Sequence, residues 1–201
     1  MLYRSLLVAF IFGTVATAYA QQPANYTPKP LPIDYHQVDA PMPKVKLVTL
    51  DTLSKLYEGK QLKKMNKKNT KKFGYTPATR IITNDDINNT GNVFVMMFNP
   101  NCGHCEDQTE ILKKNIDQFK TSTLILMANA VMKTYLPDFV KNHKTHDFYP
   151  KMIVGIDSGE VIKEAYLYGA LPQINIYNSK HKLLKSFNGE IPIDSLKMYM
   201  N

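Results

Sequence analysis

Cysteine is scarce in this chain of 201 residues: Cys102 and Cys105 are the only two, with Gly103 and His104 between them. That scarcity excludes a small secreted scaffold held together by several disulfides. A bridge across such a tiny loop would also constrain the unfolded chain very little, so a structural staple is a poor use for the pair. Long apolar runs are missing as well. The best one, Leu6–Val15, lies in MLYRSLLVAFIFGTVATAYA, where Gly13, Thr14 and Thr17 interrupt it and Ala18-Tyr19-Ala20 forms a small-x-small cleavage site. It reads as a secretory signal peptide over residues 1–20, cleaved after Ala20, and implies a periplasmic or otherwise exported protein. Residue 21 is Gln, which offers no thiol for a lipid anchor.

Acidic residues are too few to balance the basic ones: 25 Lys+Arg face 17 Asp+Glu, a net charge of +8. The excess is local. Eight lysines against Glu58 fall between Lys55 and Lys72, which accounts for the surplus left once Arg4 departs with the signal. A protein whose whole surface serves nucleic acid would spread that charge more widely, so no nucleic-acid partner is expected. The lysines from Lys60 to Lys72 recur at helical spacing as one basic stripe within an insert spanning residues 55–80; like charges a turn apart make this read as a solvated, partly frayed insert, with docking to anionic lipid headgroups or an acidic partner as the alternative.

Six of the twelve prolines fall between Pro23 and Pro43, so residues 21–43 read as an extended leader along the domain surface. The remaining 44–201 read as one domain. The alternation in Lys44–Asp51 suggests an edge strand, and Asn84–Asn88 a short polar helix or turn. NVFVMMFNP (Asn92–Pro100) is an almost unbroken apolar run of strand length, as expected of a central strand covered on both faces. After Asn99-Pro100-Asn101, Cys102 opens a stretch with Glu106, Asp107 and Glu110 early and Lys113 and Lys114 late, the charge order that a helix dipole favours. Strands follow at 122–130 and 151–157, helices at 136–144 and 159–169, then two antiparallel strands at 170–178 and 181–189, and a helix over 191–200. The pattern gives an α/β domain with a mixed central sheet flanked by helices. No internal repeat is visible.

Cys102 thus stands where a buried strand gives way to a helix. Unpaired N–H groups and the positive end of the dipole favour a thiolate there. Cys105, one turn further in, has the place of a resolving thiol. Gly103 lets the turn tighten, and His104 can add positive charge beside the thiolate. Zinc held by the two cysteines with His143 and His146 is the metal alternative, but the two histidines read as a solvated helix end. His36, in the leader, and His181, in a hairpin turn, call for no role.

FNPNCGHC after an apolar strand, and GALPQINIY some 65 residues later, resemble the thioredoxin fold and, within it, exported TlpA-like and ResA-like thiol:disulfide oxidoreductases. The resemblance covers roughly residues 40–201, and Cys-Gly-His-Cys is similar to the quartet of protein disulfide isomerases. It implies Cys102 as the attacking cysteine, Cys105 as the resolving one, and Leu171-Pro172 as the cis-proline that presents substrate and keeps metal away. It also implies client proteins with thiols or disulfides as partners, an unidentified membrane redox partner, a monomer, and no dissociable cofactor. The chain departs from the family in having no Trp before the first cysteine, Met96 where thioredoxins bury an acid, and Gln108 where ResA-like proteins have Glu. Glu106 and Glu110 read as exposed acids complementing the dipole. A non-catalytic module that binds extended peptides while the cysteines remain a static disulfide is the competing reading.

Overall fold

The computed structural model describes residues 33–49, 81–87, 90–165 and 170–200. The signal peptide, most of the proline-rich leader and the basic insert with its Lys60–Lys72 stripe lie outside the described residues. No helix among the described residues is long and apolar enough to cross a membrane.

Seven strands form one sheet: β1 (Lys46–Thr49), β2 (Ile81–Thr83), β3 (Val93–Phe98), β4 (Thr123–Ala128), β5 (Met152–Asp157), β6 (Gln173–Tyr177) and β7 (Leu183–Asn188). Their order is β2-β1-β5-β4-β3-β6-β7. β3, β4 and β5 run parallel, while β1 and β6 flank them antiparallel, so the sheet is mixed as expected. The α-helices among the described residues are α1 (Gly103–Lys114), α2 (Leu136–His143), α3 (Val161–Ala165) and α4 (Ile193–Lys197).

The apolar run of β3 is explained by burial on both sides. All six of its residues are buried, and they divide by alternation. Phe94, Met96 and Phe98 join a core with Leu112, Phe119, Leu126, Phe139 and Leu196, beneath α1, α2 and α4. Val93, Val95 and Met97 face the other side, among Leu47, Ile125, Ile153, Val161 and Tyr177. A strand with two buried faces needs no polar alternation.

Two expectations change. β1 is not an edge strand, because β2 pairs with one side of it and β5 with the other. Its apparent alternation comes from the exposed Lys46 at its start, whereas Leu47 and Val48 are buried on opposite faces. The end of the leader does more than lie along the surface. Ala40 and Met42 are buried in the second core, and the N–H groups of Asp39 and Met42 donate to the carbonyls of Leu183 and His181.

Gly155 in β5 meets a strict spatial demand. A Cβ built there would lie 2.7 Å from both Leu47 Cγ and the Val48 carbonyl oxygen, so β1 and β5 can pair closely only with glycine at this point.

Candidate active site

β3 ends at Phe98, Asn99-Pro100-Asn101 turns the chain, and Cys102 becomes the N-cap of α1 with an extended backbone (φ −110°, ψ 115°). Its carbonyl accepts from the N–H groups of Cys105 and Glu106 at 2.9 and 3.0 Å, closing the first turn. No side chain caps the helix, so its first N–H groups are left to face the Cys102 end. The two sulfurs differ in surroundings: Cys102 is half-buried, whereas Cys105 is 0% exposed. Burial pushes the Cys105 thiol from 9.0 up to about 12, against a backbone hydrogen bond at Asn99, and the neighbouring Cys102 and Glu106 push it further the same way. One thiol is therefore accessible at a helix N-terminus and the other is held protonated behind it.

Register brings Pro172 to the same place. β6 runs antiparallel to β3 with Met97 opposite Gln173, so the next step along the ladder sets Pro172 beside Phe98, just before the cysteine turn. The Leu171–Pro172 peptide is cis. Leu171 packs against both cores at this end of the sheet.

Gly103 and His104 behave differently from the sequence reading. A Cβ at Gly103 would meet nothing within 4 Å, and its φ is not positive, so glycine is not required for the turn. The His104 side chain is 74% exposed and its Nδ1 lies 3.3 Å from Glu190 Oε2, so its ring is paired with an acid on the β7–α4 connection. His104, Asp107 and Glu190 bring ligand atoms within 4.8 Å of one another, making them the one group of three or more among the described residues with the spacing for a metal ion. This is a different set from the two cysteines with His143 and His146.

His143 is not part of a solvated helix end. Its side chain is 13% exposed, its ring centroid lies 4.6 Å from that of Phe139, and its Nδ1 is 2.8 Å from Glu110 Oε1. Glu106 and Glu110 are half-buried rather than simply exposed, because α2 packs against their side of α1. Burial raises the Glu110 carboxyl, but hydrogen bonds from Lys113 and His143 outweigh it and hold the group below the usual carboxylate range. Nothing in the single sequence placed His143 beside α1; its spacing from Phe139, four residues apart on one helix face, points only to partial burial.

Met96 and Gln108 stand where the resemblance to thioredoxins and ResA-like proteins leads one to expect acids. Met96 is core. Gln108 is 0% exposed and its Oε1 accepts from the Ile191 N–H at 2.6 Å, joining α1 to the segment before α4.

No protein-family model matches the chain, and no curated protein matches it by sequence. Solved structures do resemble it. The thioredoxin domain of a thiol-disulfide oxidoreductase from Bacteroides vulgatus superposes with a TM-score of 0.57 at 13% identity, over 82% of this chain and 99% of that one. A candidate protein disulfide isomerase from Bacteroides thetaiotaomicron gives 0.54 at 11% identity, over 81% and 86%. A thioredoxin-like protein from Aeropyrum pernix gives 0.52 at 12% identity, over 78% and 87%. With a mixed sheet, a helix opening on Cys102 and a cis-proline beside the end of β3, the described domain has the thioredoxin fold.

Proposed function

We propose that this protein is an exported thiol:disulfide oxidoreductase of TlpA-like or ResA-like type, exchanging disulfides with client proteins through Cys102 and Cys105. The observation that carries the reading is the asymmetry of the pair: an accessible sulfur at the N-cap of α1 and a wholly buried one a turn behind it. A nucleophile needs the first environment and a resolving thiol the second.

In the reducing direction, the Cys102 thiolate attacks one sulfur of a client disulfide, and the other sulfur leaves as a thiolate and takes up a proton. Cys105 then gives up its proton and attacks Cys102 Sγ. The mixed disulfide breaks, the second client thiol departs, and the Cys102–Cys105 disulfide remains. A dithiol on a membrane partner would reduce it again, and oxidation of clients runs the same steps in reverse. No dissociable cofactor takes part. Pro172, with Leu171 beside it, would present the client chain to Cys102, and residues 1–20 would direct export.

The test is Cys105→Ser in cells. A covalent adduct with clients through Cys102 is expected, released by dithiothreitol. An empty trap, together with a purified disulfide that does not equilibrate in graded thiol buffers, would replace this reading with the static peptide-binding module. The same titration gives the direction: a potential near or above about −200 mV marks a disulfide donor or isomerase, and one well below about −230 mV a reductant.

A further inference from the structure

Along α1, Cys102, Glu106 and Glu110 recur every four residues, forming one row that starts at the N-cap. Carboxylates a turn apart repel each other, and a carboxylate a turn from a cysteine works against its thiolate. The row would oppose the chemistry of the pair unless something offset it.

His143, the last residue of α2, sits against that row. Its Nδ1 lies 2.8 Å from Glu110 Oε1 and its Nε2 lies 4.0 Å from Glu106 Oε2. Both ring nitrogens therefore face carboxylates. A neutral imidazole has one N–H; if Nδ1 donates it to Glu110, the bare Nε2 lone pair is turned toward Glu106. An imidazolium would hydrogen-bond Glu110 and, at 4.0 Å, attract Glu106 by charge alone. The ring is held in place by packing, since it lies on Phe139 at 4.6 Å, and Phe139 lies on Phe98, the end of β3, at 4.6 Å. Glu110 already has Lys113 Nζ at 2.6 Å, so the charge of His143 is left in part for Glu106. The titratable and charged groups gathered here are Cys102, Cys105, Glu106, Glu110 and Lys113 of α1 and His143 of α2, with the His104–Glu190 pair nearby on the exposed side.

We propose that His143 is a positioning residue for the cysteine pair: its imidazolium, clamped between Glu106 and Glu110, offsets the negative charge behind Cys102 and so sets how readily the thiols ionise. The charge of Glu106 is among the influences that hold the Cys105 thiol protonated, which agrees with this role. The inference rests on the pair being a reagent.

The experiment uses the reduced protein and iodoacetamide, with alkylated Cys102 counted by mass from pH 5 to 9. His143→Gln is expected to slow alkylation about 3- to 10-fold near pH 6, the size of a charge interaction at a partly buried site. The difference should close as pH rises and imidazole side chains lose their charge. Glu106→Gln in the His143→Gln background should restore the rate to within about 2-fold of the parent, which loss of packing alone would not do. His104→Gln, run alongside, separates the contribution of the other histidine. An unchanged pH–rate profile in folded His143→Gln, or no recovery in the double variant, overturns the proposal. Should His143→Gln fail to fold, Glu106→Gln decides through its pH dependence: a gain in alkylation rate that is small near pH 6, where an imidazolium offsets Glu106, and larger near pH 8 supports the proposal, and an equal gain at both overturns it. Alkylation needs no client, so the two readings fail separately: a His143-dependent profile without disulfide exchange would sink the proposed function and leave His143 only an influence on the charge of idle thiols. Exchange with a profile indifferent to His143 would do the reverse.

Discussion

The buried side chain of Gln108 accepts a hydrogen bond from the backbone N–H of Ile191 at 2.6 Å, fastening the cysteine-bearing helix to the chain before α4. Gln108→Ala would leave that N–H without its acceptor and open a cavity, at a cost of about 2–4 kcal/mol. Gln108→Met keeps most of the volume and should recover part of that loss. Urea denaturation of the three proteins checks the order.

Raising pH should destabilise the reduced protein through Cys105. Its folded value, about 12, exceeds the ordinary 9.0 because of burial, so the folded state keeps a proton that the unfolded state releases. The stability this group contributes is complete below pH 9 and falls by about 1.4 kcal/mol per pH unit above it. Thermal melts of reduced protein from pH 8 to 10.5 should show the slope, and Cys105→Ala should flatten it. An equal slope in both would sink the assignment.

Glu110 predicts the opposite dependence at acid pH. Its carboxyl is held below the usual range by Lys113 and His143, so its contribution is present at neutral pH and is lost as pH falls through its lowered folded value. Glu110→Gln should therefore cost stability at pH 7, by under about 1 kcal/mol for a half-buried group still open to solvent, and the gap should close at strongly acid pH. Parallel denaturation curves at the two pH values test it.

Two glycines should respond in opposite ways. Gly155→Ala would drive a methyl into Leu47 and the Val48 carbonyl and is expected to cost about 1–3 kcal/mol. Gly103→Ala meets open space and should be neutral or stabilising by up to about 1 kcal/mol. Melting temperatures of the two variants are enough to decide.

Much of this arrangement was readable from local pattern. The unbroken run of β3, the charge order of α1 and the spacing of the last two strands each report a property of the segment itself, and each element formed within a few residues of its expected place. What escaped depended on partners distant in sequence. β1 looked like an edge because β2, only three residues long, carries too little pattern to announce itself. Met42 looked like leader because its burial depends on the turn near His181. His143 looked solvated because only the packing of α2 on α1 encloses it. Gln108 looked like a missing acid, and its bond to Ile191 spans 83 residues.

The ladder step that sets Pro172 beside Phe98 joins two segments made at very different times during synthesis. A nascent chain that has emerged only as far as β5 has both cysteines but not the proline, nor the sheet edge that carries it. Until β6 is made, the turn that carries Cys102 has no cis-proline beside it, so under the proposed function the last strands of the chain complete a site whose sulfurs lie near its middle.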